Sequence, residues 1–493
     1  MRLSRRAVLG RFAAVAALPL IAACRAELLT STAATPTAAP LALVALPTAT
    51  VEPTAAPIAA PTAVPTVEPT AVPTTPKLVG RPMYQMDAQH TGRSPNRGPR
   101  EPKLMRSFNT GNFQIRDGST TTPNPDIQSS AAVGSDGTIY LANHQGVLFA
   151  LRDPHTGPAG GSQRQTLELA WRCHPPESSS WHATPALSPD GTVYLGFSRP
   201  GTRADIEGTL YALRAPSDGV EAEVLWAVNL GPGRQTSSPT LGPDGTVYVI
   251  SGTGWLFAIT SEGQVRWSVE TGPALKAAPA LSHDGSMVYV SSMNGKLFAV
   301  QVPRNEDKKA TIKWTFNFAD FPGRTPLVKA ASPPAGAEGI GSGASPTVAP
   351  DGMIYVGANN SNFYALTPDG KLLWLYEADR EIAGIWSTAA LSADSSMLYF
   401  GANKGGIYAL SRQDGSLQWR FGLPGSVYNS PALDVDGVLY TGSTIGQVFA
   451  IDGQTGQQIF AFDAGSAVWT APAIRPDGSL VVADRNGKVL VLG

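Results

Sequence analysis

Ser238-Pro239-Thr240-Leu241-Gly242-Pro243-Asp244-Gly245-Thr246-Val247-Tyr248, followed by Gly254-Trp255-Leu256-Phe257-Ala258-Ile259 and then by Gly263 and Trp267, decides the fold. The same pattern recurs along residues 129–493. Its turn aspartate, or the equivalent, falls at Asp136, Asp190, Asp244, Asp284, Asp351, Asp394, Asp436 and Asp477. Successive gaps are 54, 54, 40, 67, 43, 42 and 41 residues, so a unit of about 40 residues is lengthened in places by insertions. A fixed period of this length marks a closed or stacked repeat architecture.

Each unit reads as four strands. The first is Ser-Pro-Ala-Leu-like. The turn after it is usually Asp-Gly, a pair that tolerates the positive φ of a tight hairpin; the sixth copy departs with Asp394-Ser395. The second strand, Thr-Val-Tyr-Val-like, has the branched and aromatic residues that suit a pleated surface. The third is Leu-Tyr-Ala-Leu-like, and a glycine turn leads to a fourth that often ends in Trp (Trp171, Trp226, Trp267, Trp314, Trp374, Trp419). One such sheet leaves two apolar faces bare, whereas eight arranged radially cover them and leave only short edges. The expected class is therefore all-β, an eight-bladed β-propeller of four-stranded blades. The last copy stops after strand three at Val489-Leu490-Val491-Leu492, and Lys103–Phe108 stands before the first copy as an orphan strand four. The N-terminal strand is expected to complete the last blade. A sandwich or barrel does not explain eight copies, and no Gly-His…Trp-Asp pattern recurs.

The consensus Ser-Pro-Ala-Leu-x-x-Asp-Gly-Thr-Val-Tyr…Gly-x-Leu-Tyr-Ala-Leu…Gly…Trp resembles the pyrroloquinoline-quinone-like (PQQ-like) repeat, and Asp87-Ala88-Gln89-His90-Thr91-Gly92-Arg93-Ser94-Pro95 resembles that family's lead-in. The resemblance covers roughly residues 82–493. It implies the propeller. It does not choose between quinoprotein dehydrogenases and binding proteins such as the propeller lipoprotein of the outer-membrane β-barrel assembly machinery.

Residues 1–24 read as an export signal. Arg5 and Arg6 lie close to a twin-arginine pattern, and the apolar run from Phe12 to Ala23 is too short to span a bilayer as a helix. Ile21-Ala22-Ala23-Cys24 resembles a lipoprotein signal-peptidase box, which would make Cys24 the lipidated first residue. Residues 25–79 form the next segment, and within it residues 31–76 are almost only Ala, Pro, Thr and Val. That composition forms no apolar face and reads as a disordered, polyproline-like stalk, about 140 Å long if fully extended. Residues 80–493 are the propeller. The expected location is extracytoplasmic, lipid-anchored to the outer face of the cell membrane, periplasmic or at the cell surface.

The formal net charge is −1, and no basic run appears outside the signal; this argues against a nucleic-acid partner. Besides Cys24 the chain has one cysteine, Cys173, read as a buried, inert thiol. The quinoprotein reading implies a disulfide between adjacent cysteines beneath the quinone and a calcium ion beside an Asp base; no Cys-Cys pair exists. Of the six histidines, only His174 and His182, with Cys173, come near a zinc-ligand spacing. No nucleophile elbow or phosphate-cradling loop is present, and the repeat aspartates read as turn formers.

One constellation stands out. The first strand of a blade lines the central channel. The position three before its proline, or the equivalent, reads Gln128, His182, Thr236, Lys276, Gly343, Trp386, Tyr428 and Trp469. These residues are expected to ring one channel mouth, with aromatics on one side and Gln128, His182 and Lys276 opposite, a mixture suited to a ligand pocket or an interface. The insertions 152–167, 198–207 and 317–343 are further candidate recognition loops. The leading expectation is a non-catalytic binding or scaffolding module, without a cofactor, whose partner is an envelope protein or a cell-wall polymer. The alternatives are a PQQ- and calcium-dependent oxidoreductase with an atypical site, and a glycan-binding or glycan-cleaving propeller.

Overall fold

The computed structural model describes residues 82–112, 125–154, 166–175, 182–199, 206–272, 277–304, 309–321, 341–378 and 384–493, all within the unit Thr74–Gly493. The segments expected to be a signal and a stalk, Lys276 and most of the three insertions lie outside the described residues. The described strands form eight four-stranded antiparallel sheets. Blade 3, for example, consists of Thr240–Leu241, Val247–Ile250, Trp255–Ile259 and Val265–Glu270. The ring is closed as the sequence implies: Leu104–Asn109 pairs antiparallel with Lys488–Leu492 and supplies the outer strand of blade 8.

Burial explains the sequence of each strand. The second and third strands are covered on both faces by neighbouring blades and read as continuous apolar runs, as in Val247–Ile250. Outer strands alternate, as in Val265–Glu270. The apolar core is a set of clusters at the seams between consecutive blades, among them Phe363 against Phe400 with ring centroids 4.3 Å apart.

The turn aspartates act as the sequence suggests: Asp244 Oδ1 accepts from the Thr246 amide at 3.1 Å and Oδ2 from its hydroxyl at 2.8 Å. Ser395, the departure from Asp-Gly, takes the same left-handed conformation at φ 58°.

A bulge recurs between strands three and four, for instance at Ala258/Ile259 and Ala365/Leu366. It re-aims the following tryptophan toward the next blade. There the indole stands beside the strand-two tyrosine of its own blade, with centroids 5.7–5.9 Å apart in six blades. In four seams its Nε1–H donates to a carbonyl in the next blade's hairpin loop: Trp226 to Ser261, Trp314 to Pro368, Trp374 to Arg412 and Trp419 to Gly453, at 2.7–3.0 Å. Nearer the axis, hydroxyls beside the strand-one proline or its equivalent stitch blade to blade: Ser238 Oγ accepts from the Thr184 amide, Thr388 Oγ1 from the Ser345 amide and Ser430 Oγ from the Thr388 amide. At the closure seam the fully buried Arg475 pairs with Asp477 at 2.9 Å and Asp153 at 3.5 Å, and Asp153 also meets Arg106 of the closing strand at 3.4 Å.

Candidate functional site

The lead-in segment has a structural role that the repeat does not announce. Residues 82–96 run inside the ring and stopper one end of the channel. Carbonyls of Pro82, Ala88, Gln89, Thr91 and Gly92 accept from the amides of Leu187, Leu281, Val348, Leu391 and Leu433, the last residues of strand one in five blades, at 2.7–2.9 Å. The turn within the segment is held by Asp87, which accepts from the Thr91 amide at 2.9 Å and from its hydroxyl. Burial raises the Asp87 carboxyl pKa against those hydrogen bonds. His90 is fully buried, and its Nδ1–H donates to the Pro346 carbonyl at 2.9 Å. A carbonyl can only accept, so Nδ1 carries the proton; Nε2 is left without a partner. Burial lowers the His90 pKa to about 4.

The other end is a blind cup. Its floor is Tyr84 of the stopper, whose hydroxyl bonds Thr388 at 3.0 Å and Ser430 at 2.9 Å. Gln128, His182, Gly343, Trp386, Tyr428 and Trp469 line it. Thr236 is buried and is not part of the lining. The three aromatic rings form one wall: Trp386 and Tyr428 have centroids 5.5 Å apart, and Tyr428 and Trp469 5.0 Å apart, edge to face. Trp386 is fixed by its Nε1–H, which donates to Asn359 Oδ1 at 2.7 Å. Behind Trp469 lies Arg485, 4.2 Å from the ring centroid. Its charge is matched by Asp126 at 2.6 Å, which holds the guanidinium pKa above its ordinary value. Gln128 Nε2–H donates to the same carboxylate at 2.8 Å, leaving its Oε1 shielded from solvent without a partner. The cup thus offers flat aromatic faces beside the polar side chains of Gln128, Ser130, His182, Asn429 and Ser430.

The cup is narrow, with a cavity volume of about 50 Å³, far below the several hundred Å³ typical of small-molecule pockets. A tricyclic quinone does not fit between these walls and this floor. Among the described residues no group of three His, Cys, Asp or Glu side chains is placed to hold a metal ion. Cys173 is buried, and burial pushes its thiol up to about 12, away from the thiolate that reactivity requires.

Sequence reasoning missed Tyr84, because it precedes the first repeat and no period points to it. Ser130, Asn429, Ser430 and Ala471 also line the cup; their place just after the ring positions was the available signal.

A family model described as outer membrane protein assembly factor BamB matches residues 206–338, 333–425 and 403–492. The chain belongs to that family. Among solved structures, this BamB-like chain is similar to BamB from Moraxella catarrhalis, with 17% identity, a TM-score of 0.54, and coverage of 80% of this chain and 99% of that one. It is also similar to quinohemoprotein alcohol dehydrogenase from Comamonas testosteroni, with 14% identity, a TM-score of 0.61, and coverage of 84% and 80%. Saccharomyces cerevisiae Sqt1 matches with 13% identity, a TM-score of 0.55, and coverage of 79% and 98%. Identities this low carry the fold alone. No curated protein matches the sequence.

Proposed function

We propose that this BamB-like propeller is a non-catalytic binding module of the cell envelope that takes a protruding group of a partner protein into the cup. The observation that carries the reading is the cup itself: a channel stoppered from within by residues 82–96, leaving a narrow pit walled by Trp386, Tyr428 and Trp469. Packed aromatic faces, one of them fixed by the Trp386–Asn359 hydrogen bond, are typical anchors of protein interfaces. The Gln128 acceptor suits a hydrogen-bond donor on the entering group. The family description, an assembly factor of outer membrane proteins, supports an envelope setting. Arg5, Arg6 and Cys24 support export and lipid anchoring, and residues 25–79 then act as the tether. Within the described residues no helix is long and apolar enough to cross a membrane.

The test is a photo-crosslinker placed at Tyr428 in the full chain, expressed in its host, with and without Trp386→Ala and Trp469→Ala. A protein adduct that both substitutions abolish is expected. An adduct indifferent to both contradicts the reading, and binding to purified envelope glycans lost on Trp386→Ala would transfer the site to a polymer. The fold likeness to a quinohemoprotein alcohol dehydrogenase is the one observation behind the oxidoreductase alternative, and the width of the cup speaks against it.

A further inference from the structure

The seams between blades are not equivalent. In the four seams where the indole Nε1–H has a carbonyl partner, the next blade joins its third and fourth strands by a five-residue loop: Thr260–Gln264, Thr367–Lys371, Arg412–Ser416 or Gly453–Gln457. The fourth residue of each loop is a glycine with φ between 71° and 85°, and it lies flat on the indole. A Cβ added at Gly263, Gly370, Gly415 or Gly456 would come within 2.5–2.8 Å of Trp226, Trp314, Trp374 or Trp419. The ring therefore receives a glycine turn on its face and a backbone carbonyl on its edge. In three of these loops the residue before the glycine is acidic: Glu262, Asp369 and Asp414.

Trp267 of blade 3 occupies the equivalent position. It pairs with Ala258 as Trp374 does with Ala365, and its ring stands 5.9 Å from that of Tyr248. The facing connection of blade 4 departs from the pattern: residues 302–310 are longer than those four loops and contain no glycine. Its Nε1–H has no hydrogen-bond partner among the described residues, where four other indoles donate to the next blade. A cleft of about 410 Å³ opens in this seam, lined in part by Tyr248, Val265, Arg266, Trp267, Pro303 and Arg304. Arg266 is neutralised by Asp244 at 2.8 Å. Arg304 is exposed and makes no hydrogen bond or ion pair among the described residues.

We infer that the blade 3–blade 4 seam is a vacant tryptophan dock for a tight acidic-glycine turn of a partner protein. The occupant would repeat what the molecule does to itself four times. Its glycine would lie on the Trp267 ring, a carbonyl two or three residues earlier would accept from Nε1–H, and the carboxylate before the glycine would meet Arg304. Only glycine permits the close approach of backbone to indole seen in the filled seams, and a charge-assisted pair with a guanidinium adds specificity for the acid. This surface is independent of the cup.

The test uses the full chain and a disulfide-closed peptide carrying the loop Thr-Pro-Asp-Gly-Lys, which fills the blade 4–blade 5 seam, titrated by calorimetry. Saturable binding is expected, weakened about tenfold by Trp267→Phe, which keeps a ring and removes the N–H, and severalfold by Arg304→Gln. Trp386→Ala should leave it unchanged. A peptide with Val in place of Gly should not bind, and grafting the five-residue loop in place of residues 302–310 should abolish binding by filling the seam. Absence of binding at millimolar peptide, equal binding of the valine peptide, or indifference to both Trp267→Phe and Arg304→Gln would each overturn the inference.

Discussion

The two ends of the channel are built on different principles. At the stoppered end, backbone carbonyls reach the strand-one amides of five blades, and these five bonds are nearly indifferent to the side chains of the repeat. At the cup, six blades contribute residues of five kinds at one repeat position: glutamine, histidine, glycine, tryptophan (twice) and tyrosine. The first end is uniform because it must be satisfied for the ring to hold together; buried amides without acceptors are costly. The second is free to vary because its side chains are not needed to close the ring. The difference separates what makes the fold from what the fold presents.

The strongest way to break this comparison is to remove the stopper. Deleting residues 82–93 strips acceptors from five inner-strand amides and should destabilise the propeller by about 5 kcal/mol or more, at about 1 kcal/mol for each lost bond. A urea midpoint that does not move would show that water serves those amides equally well.

A second test titrates the stopper. The His90 pKa is depressed to about 4 from an ordinary 6.5, so the folded state resists its protonation. The stability tied to neutral His90 is complete above pH 6.5 and is lost as pH falls toward about 4, reaching about 3 kcal/mol. Asp87, with a raised pKa, works in the opposite direction at the acid end but is common to wild type and a His90→Asn variant. The stability of wild type relative to that variant should therefore fall across this window. Parallel curves would refute the buried neutral imidazole.

Smaller effects sharpen the contrast. Gly92→Ala places a Cβ 2.9 Å from Ala390 Cβ at a φ of 67°; about 2 kcal/mol of stability should be lost, read from the thermal midpoint. Trp386→Ala at the open end should cost about 1 kcal/mol, because its ring is only half-buried, while removing the partner adduct at Tyr428. A stability loss at Trp386 exceeding that at Gly92 would erase the distinction between the two ends.

How far the sequence carried this picture follows from periodicity. The blades, the closing strand and the ring of Gln128, His182, Trp386, Tyr428 and Trp469 repeat with the unit, so counting from each proline or its equivalent places them together. The stopper does not repeat. Its partners, from Leu187 to Leu433, are far away in sequence and bond through backbone atoms, which leave no mark on residue choice. Gly92, with its positive φ and close neighbours, carries a local signal of that packing. The width of the cup was illegible for the same reason, since its floor is Tyr84 of the stopper. The vacant seam at Trp267 was written in the loop lengths, as a glycine-free connection among five-residue glycine turns, but a loop insertion alone does not say what it uncovers.

On the proposed reading, the cup receives a partner's group and is too narrow for a quinone. A thermal-shift titration of the full chain with pyrroloquinoline quinone and calcium tests it most directly. No saturable shift is expected. A saturable stabilisation near the roughly 2.7 kcal/mol expected at a hundredfold excess over the dissociation constant, lost on Trp386→Ala, would contradict it and return the protein to the dehydrogenases it resembles in fold.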